Sequence, residues 1–166
     1  DTALAVSAAR GETIFDELVR MLAASLELEF AFIARHTRAD PEHLTMVALF
    51  GDGRVAKGLR YAIAPTPCST VLGQRFRAYA SELAHRFPND PDVLGKGAES
   101  YAGMPLVGVG GEALGVIAVG SRRPLRDLAQ IEAMLKIFAA RAGAEIERLG
   151  ALEALRRSEA SYRAIF

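Results

Sequence analysis

The chain has 166 residues, 51% of them hydrophobic, so it can bury a core and is not a disordered segment. Twenty Lys and Arg balance 20 Asp and Glu, which leaves no net basic footprint for nucleic acid or an anionic membrane surface. One cysteine, Cys68, excludes an intrachain disulfide and a tetrathiolate metal site, and it fits a reducing, cytoplasmic setting. No uninterrupted apolar run is long enough to span a bilayer; the longest, Met104 to Gly120, holds Glu112 and several glycines.

In chain order, residues 12–26 place Ile14, Phe15, Leu18, Met21 and Leu22 at helical spacing, with Glu12, Asp16, Glu17 and Arg20 opposite, and predict an amphipathic helix. Residues 1–11 read as a linker or the start of that helix. Residues 29–36 predict a strand, and 37–43, with Asp40-Pro41, a loop. Leu44–Phe50 and Val55–Ile63 predict two strands around Asp52-Gly53, a pair that tolerates the positive φ of a tight hairpin.

Residues 64–97 are less regular. Pro65 and Pro67 force a loop, then 69–72 allow a helical turn, 74–80 a short strand and 81–86 a short helix closed by Phe87-Pro88. Asn89-Asp90 caps another short helix that Gly95 stops. Ser100–Val109 and Ala113–Val119 predict two strands joined by a tight hairpin at Gly110-Gly111.

From Leu125 a helical pattern runs to about Ala160. Leu128, Ile131, Leu135, Phe138 and Ala142 recur three and four apart, and Ile146, Leu149 and Leu152 continue the stripe after a shift. Such a helix is roughly 50 Å long at about 1.5 Å per residue. One small domain cannot cover that stripe, so its second half is expected to bury against the same helix of a second copy. The order of elements predicts an α+β fold with a central antiparallel sheet of five or six strands. The N- and C-terminal helices lie on one face, and loops and short helices cover a small-molecule pocket on the other.

Few residues point to catalysis. Gly108-Val-Gly110-Gly-Glu-Ala113 fits a loose dinucleotide pattern, but a strand follows where a phosphate-binding helix is required, so these glycines read as a turn. His36 and His43 flank Asp40 and Glu42 at a spacing that matches no helical metal-ligand pair. Asp90 reads as a cap, and Tyr101 as core or cavity wall. Cys68 reads as a small buried group, a pocket-lining thiol or, at a helix start, a redox thiol. No catalytic triad or metal site stands out, and no cofactor is required. Candidate pocket residues are Phe50, Tyr61, Cys68, Val71, Phe87, Tyr101 and Met104; the dimer and signalling stripe is Leu128, Ile131, Leu135, Phe138, Ile146, Leu149 and Leu152.

Four segments together carry a resemblance: Thr66-Pro67-Cys68-Ser-Thr-Val71, Phe87-Pro88-Asn-Asp90, Ser100-Tyr101-Ala-Gly103-Met-Pro105-Leu106, and Gly111-Glu-Ala-Leu114-Gly115-Val-Ile-Ala-Val119. They resemble a bacterial GAF domain of the kind found in sensor histidine kinases and diguanylate cyclases, over residues 12–146. The segment 157–166 resembles the opening of a PAS domain, with 147–160 as a helical signalling linker and 161–166 as the PAS start. The resemblance implies a fragment of a multidomain sensor that dimerises through its terminal helices. Its output is a histidine kinase or, alternatively, a cyclic-di-GMP synthase or phosphodiesterase. It implies no ligand: the Asn-Lys-Phe-Asp-Glu signature of cyclic-nucleotide-binding members is absent, and Cys68 is not followed by the histidine of bilin-binding ones. Three expectations compete: a ligand-sensing module, a ligand-free structural relay and a thiol redox sensor.

Overall fold

The computed structural model describes residues 2–165. Helix α1 (Thr2–Leu26) leads into strands β1 (Phe30–Thr37), β2 (Asp40–Gly51), β3 (Arg54–Ala56) and β4 (Arg60–Ala62). A 3-10 turn (Pro67–Thr70), β5 (Arg77–Tyr79), α2 (Leu83–Arg86) and α3 (Pro91–Lys96) form the middle; β6 (Ser100–Val107), β7 (Ala113–Ser121) and α4 (Leu128–Ile165) complete the chain. The seven strands make one antiparallel sheet in the order β3-β2-β1-β7-β6-β5, with β4 also paired to β2.

The seventh strand comes from the run at 55–63, which is not continuous. Gly58, at φ 83°, breaks it into β3 and β4, and the break stays tied to β2 as Met46 donates to Leu59 O and Gly58 donates to Met46 O. Asp52-Gly53 forms the expected hairpin turn with both φ angles positive. The segment at 37–43 is mostly strand rather than loop: β2 starts at Asp40, and the irregular register between Arg35 and Thr37 accommodates Pro41. The β6–β7 connection is a five-residue loop over 108–112, wider than a two-residue hairpin, closed by Gly108 donating to Glu112 O.

Helices α1 and α4 pack together on one face of the sheet. Phe15, Leu18, Val19, Leu22 and Ala23 of α1 meet Ile131, Leu135, Phe138, Ala142 and Ile146 of α4 over Ala31, Ile33, Ala102, Leu106, Ile117 and Val119. Met21, expected on the buried stripe, is exposed, and Val19 takes that place. α1 ends without glycine: Glu27 adopts φ 54° and Leu28 donates back to Ala23 O, which satisfies the last carbonyls. α4 starts at Leu128 rather than Leu125, with the Asp127 carboxylate accepting from Gln130 N at 3.2 Å. It then runs unbroken to Ile165, and from Glu153 onward every described residue is exposed.

The seven stripe residues of α4 therefore divide. Ile131, Leu135, Phe138 and Ile146 are buried inside their own domain, so they are core and not a seam; Leu149 and Leu152 are half-buried, and Leu128 lies at the rim. The opposite face of α4 carries a different line: Ala133, Ile137, Ala140, Ala144, Ala151, Leu155, Ser158 and Tyr162. All eight are exposed and none is charged, but the line is interrupted between Ala144 and Ala151, where Glu147 and Arg148 occupy the turn. At 3.6 residues per turn they stack along one side of the helix.

Candidate functional site

The other face of the sheet is roofed by the segment from Ile63 to Glu99, and the chemistry of the Thr-Pro-Cys-Ser-Thr run explains how it folds. Pro67 opens the 3-10 turn, where a missing N–H costs nothing. The Thr66 hydroxyl donates to Ile63 O at 2.6 Å, Ser69 to Thr66 O at 2.8 Å, and Thr70 to Pro67 O at 2.7 Å. The Tyr79 hydroxyl on β5 donates to Thr70 Oγ1 at 2.9 Å, pinning the turn to the sheet edge. These local bonds use up the run's polar groups and turn Cys68 inward, where it is buried.

Beneath this roof lies a cavity of about 90 Å³. Its floor is Phe30 and Phe32 of β1, Met46 and Leu49 of β2, and Tyr101 of β6. Gly120 of β7, the register partner of both Phe30 and Tyr101, contributes no side chain to fill it. Tyr61, Thr66, Pro67, Cys68, Leu83, Asp90 and Val93 form the walls, with Lys96 and Ala98 beside α3. The central polar group is a phenol–thiol–phenol row: Cys68 Sγ lies 3.3 Å from the Tyr101 hydroxyl and 3.5 Å from the Tyr61 hydroxyl. Tilted ring contacts at 6.4 Å to Phe32 and 6.3 Å to Tyr79 hold the Tyr101 ring.

Burial dominates the electrostatics. It pushes the Cys68 thiol up, and the nearby Asp90 charge adds to this, against hydrogen bonds from Tyr101, Tyr61 and Thr66 that pull the other way. Burial likewise drives the Tyr101 phenol well above its ordinary range. Both groups are neutral at pH 7. A redox thiol needs an exposed, electropositive setting that stabilises the thiolate; Cys68 is buried, and the charge that acts on it is the negative one of Asp90. The geometry therefore speaks against the thiol-sensor expectation.

Of the seven candidate pocket residues, the structure brings Tyr61, Cys68 and Tyr101 together at the cavity. Val71 is buried behind Cys68, and Phe87 packs edge-on against Tyr79 at 5.1 Å; neither lines the cavity. Phe50 and Met104 sit on the opposite, helix-covered face. For Met104 the reason is strand parity: residues 101 and 104 of an unbroken strand point to opposite sides. For Phe50 it is a β-bulge. Ile33 pairs with Ala48 but Ala34 with Met46, so Val47 is an extra residue that reverses the alternation of β2. Asp90 is buried and lines the cavity, and Gly120 and Phe32 line it as well; none of these was a candidate. A glycine inside the apolar strand at 113–121 is the signal that could have found Gly120.

The His36 and His43 pair lies at the far edge of β1 and β2. His43 Nδ1 is 2.9 Å from Asp40 Oδ1, and Arg60 Nε donates to Asp40 Oδ2 at 2.6 Å. Among the described residues no three His, Cys, Asp or Glu side chains gather as a metal site, and no helix is long and apolar enough to cross a membrane.

The family profile described as GAF domain matches residues 10–146. The chain belongs to the GAF family. Solved structures share this GAF fold. A domain of a two-component sensor histidine kinase from Sinorhizobium meliloti 1021 superposes at TM-score 0.64 and 20% identity, over 87% of this chain and 97% of that one. The GAF domain of an Acinetobacter phosphoenolpyruvate-protein phosphotransferase gives TM-score 0.68 at 14% identity, over 87% and 86%. Residues 122 to 287 of a methyl-accepting chemotaxis protein give 0.65 at 24%, over 87% and 93%. No curated protein sequence matches the chain.

Proposed function

We propose that this GAF domain is a cytoplasmic sensory input: a small molecule occupies the cavity at Tyr61, Cys68 and Tyr101, and its occupancy biases α4, which relays the change to an output domain in the same chain. The carrying observation is that one strand faces both parts. On β6, Tyr101 lines the cavity, and its neighbours Ala102 and Met104 pack in the helix-side core with Leu135 and Phe138 of α4. A ligand that binds one placement of Tyr101 better than another therefore has a one-residue path to α4, and differential affinity is what shifts a conformational equilibrium.

The rest of the reading concerns what α4 meets. Its exposed line from Ala133 to Tyr162, mostly uncharged and broken at Glu147 and Arg148, supports a homodimer in which α4 packs on its own copy, with alanines allowing close approach. A histidine kinase is the favoured output, a reading supported by the likeness to the Sinorhizobium meliloti sensor-kinase domain; a PAS domain following residue 160 rests only on the resemblance of residues 157–166 to a PAS opening.

Native mass spectrometry of the protein as purified from cells tests this. A dimer mass with an adduct that is lost on denaturation is the expected result. A clean mass, with no thermal shift from any member of a metabolite library, would replace sensing by a ligand-free structural relay.

A further inference from the structure

The cavity restricts its ligand by size, by charge and by hydrogen bonding. Size comes first. Pockets for drug-sized ligands and cofactors hold roughly 300–1,000 Å³, and an apolar cavity of roughly 150 Å³ takes up benzene. At about 90 Å³ the space beneath the roof is smaller than any of these, and it cannot enclose a nucleotide or a tetrapyrrole. A single six-membered ring is the upper limit, admitted when Met46, an unbranched side chain that adapts its shape, gives way.

Charge is the second restriction. A bare ion set among largely apolar walls loses hydration that few polar groups replace. The lining holds one acid and one base, Asp90, which is 3% exposed, and Lys96 beside α3, so it offers no net charge for a ligand ion of either sign to neutralise. The Arg122 guanidinium beside the pocket is already stacked 4.8 Å from the Phe30 ring centre. Neither sign is favoured.

Hydrogen bonding is the third. Both phenol hydroxyls lie against one sulfur, at 3.3 and 3.5 Å, and a thiol is a weak donor and acceptor. A ligand hydroxyl offers Tyr101 a stronger partner than this sulfur, so its arrival exchanges a poor hydrogen bond for a good one.

We propose that the cavity takes a compact, uncharged molecule with an apolar body and one hydrogen-bonding group, of the size and chemistry of phenol. This rests on the sensory reading above and narrows its ligand class. Aromatic body and walls meet through Phe32, Leu49 and Met46, and the ligand hydroxyl meets Tyr101 and Tyr61.

The test is calorimetric titration and thermal unfolding of the chain with five probes at millimolar concentration: phenol, toluene, benzoate, benzylammonium and 2-naphthol. Phenol is expected to bind and raise Tm, and the two ions and the double ring are expected to do neither. Tyr101→Phe should weaken phenol roughly threefold to tenfold while leaving toluene unchanged; Tyr61→Phe serves as the second variant should the first fold poorly. Silence from phenol with wild-type protein, or equal binding of benzoate or benzylammonium, overturns the proposal. If phenol is silent but the native mass still shows a carried adduct, the ligand class falls and the sensory reading stands. If both are silent, both fall.

Discussion

The Tyr101 ring lies where a side chain on residue 103 would be. A Cβ built on Gly103 falls 2.5 Å from the Tyr101 hydroxyl and 2.9 Å from two of its ring carbons. The two residues share one face of β6, and the empty position lets the ring lean along the strand until its hydroxyl reaches Cys68. Gly103→Ala must therefore push the ring off Cys68. We expect a loss of about 1–3 kcal/mol, the usual cost of overpacking a filled site. Chemical denaturation measures it. A cycle with Tyr101→Leu separates the mechanism: the alanine should cost far less once the ring is gone, and an undiminished cost would place the strain elsewhere.

Cys68 and Tyr101 make the stability of the domain sensitive to alkali. Burial raises the pKa of both groups in the folded protein. Above about pH 8.5 the unfolded chain releases the thiol proton while the folded chain retains it, so the unfolded state binds fewer protons and stability falls as pH rises. Tyr101 adds to the slope above about pH 10. Tm should be flat in the neutral range and decline beyond it, with a shallower decline in Cys68→Ala. Alkylation at pH 7 should be slower than for a free thiol until the protein unfolds; rapid labelling of folded protein would contradict the buried setting.

Much of this architecture is legible in the residues. Asp52-Gly53 announces its hairpin, and the three-and-four spacing of Ile131, Leu135 and Phe138 announces a core helix, because these signals are local. What is hidden depends on pairing across the sheet. Nothing in Leu44–Phe50 marks Val47 as the bulge; that follows only from the register against β1, and it moves Phe50 from the cavity to the core. Tyr61 and Cys68 were identifiable by chemistry, yet their meeting with Tyr101 rests on a roof whose path no period describes. Helical spacing likewise marks a buried stripe without saying what buries it, which is why the stripe of α4 reads as core and dimer seam at once.

Glu29 and Ser121 fasten the start of β1 to the end of β7. The Ser121 hydroxyl donates to Glu29 Oε2 at 2.6 Å, and Arg122 N donates to Oε1 at 3.3 Å. Burial raises the Glu29 pKa, but these bonds and the Arg123 charge outweigh it and leave the carboxyl below its ordinary value. Its contribution is present above the unfolded pKa and is lost as pH falls through the folded one. Ser121→Ala should cost about 1 kcal/mol at pH 7 and return Glu29 toward an ordinary titration. An NMR titration of the Glu29 carboxyl in both proteins checks the shift directly.

The two faces of α4 should respond to mutation in opposite ways. Leu135 is fully buried between α1 and the sheet, so Leu135→Ala removes core contacts within one chain. It should cost about 2–5 kcal/mol, with no dependence on protein concentration. Ala144 is exposed in the middle of the uncharged line on the far side. Ala144→Glu touches nothing in its own domain and should leave folding of the isolated chain within about 0.5 kcal/mol. In a dimer packed along that line it sets two carboxylates against each other at a close helix–helix approach and should shift the sedimentation of the protein to that of a monomer. If Ala144→Glu leaves the sedimentation unchanged while Leu152→Glu alters it, the copies meet instead through the half-buried edge of the helix beside Leu149.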